Sequence, residues 1–319
     1  MGSEMCIRDR SVYRELINLN AIMNLPKGTE HFMSDLHGEY DAFYHIINNC
    51  SGVIREKVAM LYGDELTVYE QQELCTLIYY PREKLSILMD ENKVNDEWYR
   101  NVLDQLIQIA KLLSSKYTRS KVRKAMPVDF AYIIDELIHA QKDEDDNRSV
   151  YHRQIMETIL SLHNGDEFLV ALTDLIKRLA VDHLHILGDI YDRGSHADKI
   201  LDLLMEHHSV DIQWGNHDIL WMGAFCGNPV CMALVVRNNI KYKTMSILEN
   251  GYGISLRFLL QFAVNTYSDK NVDDAVYKAI SVILFKLEGQ LIKRHPEYRM
   301  EGRLLLDKMN CLLYTSDAA

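Results

Sequence analysis

Proline and long apolar runs are both scarce in this chain, and each scarcity closes off a class of structure. Five prolines and fifteen glycines in 319 residues are too few for a collagen-like repeat or a linker-rich chain. The best apolar runs, Met232–Val236 and Val282–Phe285, fall far short of the roughly 20 residues that span a bilayer, so no membrane partner is expected. Positive charge is also in short supply. Lys and Arg number 35 against 46 Asp and Glu, a formal charge of 35 − 46 = −11. Nothing electrostatic draws such a chain onto nucleic acid or anionic lipid, although a local basic patch can still hold a small anion. The six cysteines, at 6, 50, 75, 226, 231 and 311, have neither CxxC spacing nor the density of a disulfide scaffold, which points to reduced thiols in a cytoplasm. Cys226 and Cys231 flank GNPV but lack a second Cys/His pair at finger spacing, so they read as idle or buried thiols rather than zinc ligands. The N-terminus has no apolar stretch resembling a signal peptide, and no repeat at solenoid period is visible.

What is present is 48% apolar residues, enough for one large domain or two smaller ones with a real core. The ends look foreign to the rest: the leader MGSEMCIRDR (1–10) and the tail CLLYTSDAA (311–319) interrupt the neighbouring pattern and resemble adapter read-through. Between them, Val12, Leu16, Leu19 and Met23 recur at helical spacing over Ser11–Asn24, up to Leu25-Pro26. A strand at His31–Ser34 runs into Asp35-Leu36-His37-Gly38, and helical periodicity resumes over Glu39–Asn49.

Residues 55–181 read as helix after helix, with one stripe through Trp98, Val102, Leu106, Ile109 and Leu113 and another through Phe130, Ile133, Ile134, Leu137 and Ile138. The acidic run Lys142–Asn147 reads as a solvated loop between two of these helices. Strand signals return at Leu184–Leu187 before Gly188-Asp189, and at Val210–Trp214 before Gly215-Asn216, with a helix over Ala197–Glu206 between them. The alternation implies an α/β fold with a largely parallel or mixed sheet, whose strand ends are the place for a ligand site.

Three strand ends supply DLHG (35–38), GDIYDRG (188–194) and GNHD (215–218). Asp35 and His37 are two apart, so in extended backbone their side chains leave one face and can grip one cation. Asp189 follows a glycine that permits a sharp turn and can bridge two cations; Asn216 adds a neutral oxygen to the second. Such oxygen and nitrogen donors suit manganese, iron or zinc better than calcium or copper(I). Two cations about 3.5–4 Å apart activate water and clamp a phosphoryl group for in-line displacement. His217 is the nearest general acid for the leaving alkoxide, Asp192 can hold its tautomer, and Arg193 offers a planar fork for phosphate oxygens. DxHG alone is weak, since Asp and His also cap turns. The two acids and the arginine of GDxxDRG carry more weight, because a turn needs none of them. His183, His185, His207 and His208 read as packed or solvent-facing.

SDLHGEYDAF, YTRSKVRKAMP, HILGDIYDRG and IQWGNHDILWMGA together resemble the calcineurin-like metallophosphoesterases and, within them, the class III fructose-1,6-bisphosphatases of Firmicutes, over about residues 11–310. The resemblance implies a metallophosphoesterase-type sheet core formed by 11–54 and 182–310, incomplete at the C-terminus, with 55–181 as a helical insert. It implies gluconeogenic hydrolysis of fructose 1,6-bisphosphate to fructose 6-phosphate and phosphate, with a dinuclear Mn2+ site. Asp35, His37 and Asp189 would hold one metal, Asp189 and Asn216 the second, and His217 with Asp192 would act on the leaving group. The superfamily's later His-bearing blocks are absent, because His295 is the sole histidine after 217. This chain is therefore expected to be an N-terminal half, inactive alone and holding at most one metal tightly.

Protein Ser/Thr phosphatases and diadenosine tetraphosphatases share these motifs but have a much shorter gap than the 189 − 35 = 154 residues between the first two blocks here. A non-catalytic binding scaffold is the remaining alternative. In the basic run of the insert, Arg119 and Arg123 are the candidates for the distal phosphate of the sugar bisphosphate, against a plain solvated helix face.

Overall fold

The structure is a computed structural model and describes residues 2–140, 146–267, 271–304 and 306. In chain order the elements are α1 (Gly2–Ile22), β1 (Glu30–Met33), α2 (Tyr40–Asn49), α3 (Val53–Tyr62), α4 (Val68–Tyr79), α5 (Pro81–Asp90), α6 (Asp96–Ser114), α7 (Arg119–Ala125), α8 (Ala131–Ile138), α9 (Asp146–Ser161), α10 (Gly165–Ala180), β2 (His183–Leu187), α11 (Ala197–Glu206), β3 (Val210–Gln213), α12 (Asn216–Phe225), α13 (Pro229–Lys241), α14 (Arg257–Thr266) and α15 (Val272–Arg294). The fold is mostly helical α/β, with a small parallel sheet in the order β1-β2-β3. Parallel neighbours cannot be joined by a hairpin, and the crossovers are the long helical run α2–α10 and the single helix α11. No described helix is long and apolar enough to cross a membrane.

The chain divides into two compact units, Met1–His31 with Tyr44–Leu184, and Phe32–Phe43 with His185–Ala319. In the first, the helices form because apolar residues recur at three- and four-residue steps and their ends are capped. Asn95 accepts the Trp98 amide at 2.8 Å at the start of α6, and Thr67 with Glu70 closes a capping box on α4. The stripe through Leu103, Leu106, Ile109 and Leu113 is fully buried, as are Phe168, Leu169, Leu172 and Leu175 of α10. α1 behaves differently. It runs through residues 2–10 as well as most of the expected Ser11–Asn24 segment, ending at Ile22, and the apolar positions Val12, Leu16 and Leu19, with Met23 just beyond it, are exposed. Periodicity specified that helix without specifying burial. Of the acidic run, Lys142–Asp145 lies outside the described residues, and Asp146 and Asn147 begin α9.

The second unit holds the loops after all three strands, together with α11 to α15. Its helical part packs Val230, Ala233 and Ile240 of α13 with Ala263 of α14 and with Ala275, Ala279 and Ile280 of α15. Small residues at these positions allow the helices to approach closely.

Candidate active site

The three loops begin just past the strands: Asp35 lies two residues beyond β1, Asp189 two beyond β2 and Asn216 three beyond β3. Asp35 (φ 55°), His37 (φ 47°) and Asp189 (φ 53°) all have left-handed backbone, as do Gly38 (φ 67°) and Gly188 (φ 89°). The expected extended geometry of Asp35 and His37 is therefore replaced by a tight left-handed turn. A left-handed non-glycine residue is held against a backbone preference of roughly 1–3 kcal/mol, so the surroundings must fix it.

They do so through the main chain. The His37 amide donates to the Asp189 carbonyl (2.8 Å), the Gly194 amide to the His37 carbonyl (2.6 Å) and the His196 amide to the Gly38 carbonyl (3.2 Å). Gly38 and Gly194 lie so close that a Cβ on Gly38 would stand 2.7 Å from the Gly194 carbonyl. The DLHG loop is thereby stitched to the GDIYDRG loop.

The stitching brings Asp35, His37 and Asp189 together, each offering one ligand atom within 4.8 Å of the others. His37 Nε2 is 3.6 Å from Asp35 Oδ1 and 3.5 Å from Asp192 Oδ2. Asp192 is buried and faces three groups, with His217 Nε2 3.5 Å from its Oδ1 and Arg193 Nε 3.0 Å from its Oδ2. It is thus shared between the two histidines rather than dedicated to His217.

Asp189 Oδ1 and Asp192 Oδ1 are buried without a hydrogen-bond partner. An orphaned buried carboxylate oxygen is costly unless something positive completes it. Two carboxylates and an imidazole gathered within 4.8 Å of one another, one of them carrying such an oxygen, form a donor set that fits a divalent transition metal.

Asn216 opens α12 and is exposed. It directly follows Gly215, whose backbone abuts the Asp189 carboxylate. His217, one residue on, also lies in the first turn of α12, where aligned amides favour an anion. The Arg193 side chain is largely exposed, with Nε committed to Asp192. Arg119 and Arg123 belong to the first compact unit, at the two ends of α7. Arg123 Nε pairs with Asp135 Oδ2 at 3.1 Å, and Lys121 pairs with Asp182. The basic run is therefore partly neutralised by its own neighbours. Among the other histidines, His185 Nδ1 meets Asp211 Oδ1 at 2.8 Å and its ring stacks on Phe32, while the His207 and His208 rings stack on each other. Cys226 and Cys231 are free thiols, as are buried Cys50 and Cys75.

Motif reading missed two features. Asp218, 1% exposed, accepts three backbone amides. Its signal was its place as third residue of a helix opened by Gly215, where an acid reaches back to the cap. The other is an aromatic wall beside the site. Tyr191 stacks on Trp221 (centroids 4.4 Å) and shares a hydroxyl contact with Tyr252. Burial, then that contact, pushes the Tyr191 phenol up.

The family model of the Firmicute fructose-1,6-bisphosphatases matches residues 3–316, and so reaches into both segments that the sequence set apart as foreign. Among curated proteins, fructose-1,6-bisphosphatase class 3 1 of Clostridium beijerinckii is 52% identical over 316 residues, 93% of this chain and 48% of its own length. The class 3 enzyme of Clostridium acetobutylicum is 50% identical over 93% of this chain and 47% of its own length. That of Clostridium tetani is 50% identical over 94% and 48%. The chain spans about half the length of the curated relatives it matches. No solved structure matches it. The chain belongs to the Firmicute fructose-1,6-bisphosphatase family.

Proposed function

We propose that the strand-end loops form the metal and phosphate site of a phosphomonoester hydrolase, converting fructose 1,6-bisphosphate to fructose 6-phosphate and phosphate in gluconeogenesis. One observation carries the reading: in a member of this family, Asp35, His37 and Asp189 bring a ligand atom each within 4.8 Å of the others, and Asp189 has a buried carboxylate oxygen that lacks a hydrogen-bond partner. Asp35, His37 and Asp189 hold one divalent cation, and Asp189 with Asn216 holds a second. Mn2+ is the proposed metal, as the family resemblance implies; the mixed oxygen and nitrogen donors suit manganese, iron or zinc. Bound there, such ions activate water and offset phosphate charge. The chain's own groups do the rest. His217 protonates the leaving sugar oxygen, and Asp192 orients its imidazole. The guanidinium of Arg193, held through Nε, turns its remaining N–H groups to phosphate oxygens. Arg119 and Arg123 are proposed phosphate contacts of their own unit. A cytoplasmic setting belongs to the same reading and is supported by the free thiols.

The test is titration of the purified chain with MnCl2, paired with phosphate release from fructose 1,6-bisphosphate with and without EDTA. The expected result is manganese binding that Asp189→Ala abolishes, with any phosphate release lost in EDTA. A chain that binds no manganese, or that keeps full affinity without the Asp189 carboxylate, would sink the proposal.

A further inference from the structure

We propose that Asp218 is a positioning residue for the metal site, acting as a main-chain clamp that sets the GDIYDRG loop against the GNHD loop. This deepens the proposed function and rests on it. Asp218 Oδ1 accepts the amides of Ile190 (3.0 Å) and Tyr191 (2.9 Å), while Oδ2 accepts the amide of Gly215 (2.9 Å). One carboxylate therefore ties the two residues after Asp189 to the residue before Asn216. Its side chain is buried at the N-terminal turn of α12, where the aligned amides favour negative charge.

The two loops are in contact at this point. A Cβ on Gly188 would stand 2.6 Å from the Gly215 amide nitrogen, so the two backbones lie directly against each other. Asp189 meanwhile sits in a left-handed conformation that its own backbone does not favour. The Ile190 and Tyr191 amides bonded to Asp218 counter that preference from the C-terminal side of Asp189, as the His37 amide does at its carbonyl. Asp218 offers its oxygens to amides rather than to the metal cluster. Its effect on a cation is exerted through the placement of Asp189 and Asn216, and supporting contacts of this kind typically change metal affinity by about 10–100-fold when broken.

Asp218→Asn is nearly isosteric but replaces one acceptor oxygen with an NH2 group. Whichever way the amide turns, it faces a backbone N–H that needs an acceptor. The comparison is calorimetric titration of the whole chain with MnCl2 in wild type, Asp218→Asn and Thr244→Val, each with its metal-free melting curve. Thr244 donates to Asn239 Oδ1 at 3.0 Å in a buried pair of the same unit, so its loss lowers stability while leaving the three Asp218 hydrogen bonds in place.

Asp218→Asn is expected to weaken manganese binding about 10–100-fold, while Thr244→Val lowers the melting temperature and leaves affinity unchanged. Unchanged affinity in Asp218→Asn, beside a wild type that binds, overturns the clamp and leaves the function intact. Equal affinity loss in Thr244→Val also overturns it, since general destabilisation then accounts for both. A wild type that binds no manganese overturns the functional reading and the clamp with it. Should Asp218→Asn not fold, Asp218→Glu keeps both oxygens but adds a methylene that spreads the loops; wild-type affinity there counts against the clamp, and a several-fold loss supports it.

Discussion

His217 presents Nε2 to Asp192 Oδ1 at 3.5 Å, while the other oxygen of the same buried carboxylate lies 3.5 Å from His37 and 3.0 Å from Arg193. Asp192 thus touches a proposed metal ligand, a proposed general acid and a proposed phosphate contact. Among the described residues, His217 pairs with Asp192 and not with Asp35 or Asp189, which sets its proton-transfer role apart from the holding of the first proposed metal.

That separation predicts unequal effects of two alanine substitutions. In a version extended to the length of the curated relatives, His217→Ala should lower turnover of fructose 1,6-bisphosphate by about 10²–10⁴-fold, the usual contribution of a general acid, with manganese content little changed. Asp189→Ala should remove both, because it takes away the carboxylate shared by the two proposed cation sites. Metal analysis beside steady-state kinetics decides it, and equal metal loss in the two variants argues against the assignment.

Arg123→Glu separates a substrate contact from an ion pair. The Arg123–Asp135 pair is solvent-exposed on the arginine side, and such pairs contribute about 0–1 kcal/mol. The melting temperature should therefore move little. If the residue meets substrate, KM for fructose 1,6-bisphosphate in the same extended version should rise several-fold more than KM for p-nitrophenyl phosphate. Parallel changes would assign Arg123 to its pairing with Asp135 alone.

The thiols should divide by burial. Cys50 is 2% exposed, and burial, only partly offset by nearby Lys177, pushes its thiol up to about 12 from 9.0; burial also raises Cys75. Thiolate is the reactive form, so a disulfide reagent at pH 8 should label Cys226 in the native chain and reach Cys50 and Cys75 only in denaturant. For Cys50 the folded state retains its proton to higher pH than the unfolded state. Its contribution to stability is present below about pH 9 and lost as pH rises towards 12. Native labelling of Cys50 as fast as Cys226 would contradict its burial.

Core and surface apolar positions should respond differently to truncation. Leu106→Ala, at a fully buried position of α6, should destabilise by about 2–5 kcal/mol. Val12→Ala, at an exposed position of α1, should stay within about 0.5 kcal/mol. Urea unfolding followed by circular dichroism measures both, and a large effect at Val12 would mean that α1 is covered in solution.

By itself the sequence determined where helices and strands lie and which residue types follow each strand. Period-3.6 stripes such as Val102–Leu106–Ile109–Leu113 and short strands such as Leu184–Leu187 are written in local order. The blocks DLHG, GDIYDRG and GNHD could likewise be read as metal and phosphate chemistry because they combine residue types that a turn does not need.

Tertiary structure decided what depends on distant backbone. The Val12–Met23 stripe specified a helix, but burial requires a partner surface, and the positions of that stripe are exposed. Asp35 and His37 come together at the proposed cation site through left-handed turns held by the Asp189 carbonyl and Gly194 amide, a conformation that no two-residue spacing encodes. Asp192 is shared between His37 and His217, and Asp218 holds three amides from two loops, because hydrogen bonds and close contacts between residues far apart in sequence exist only once the loops have packed together.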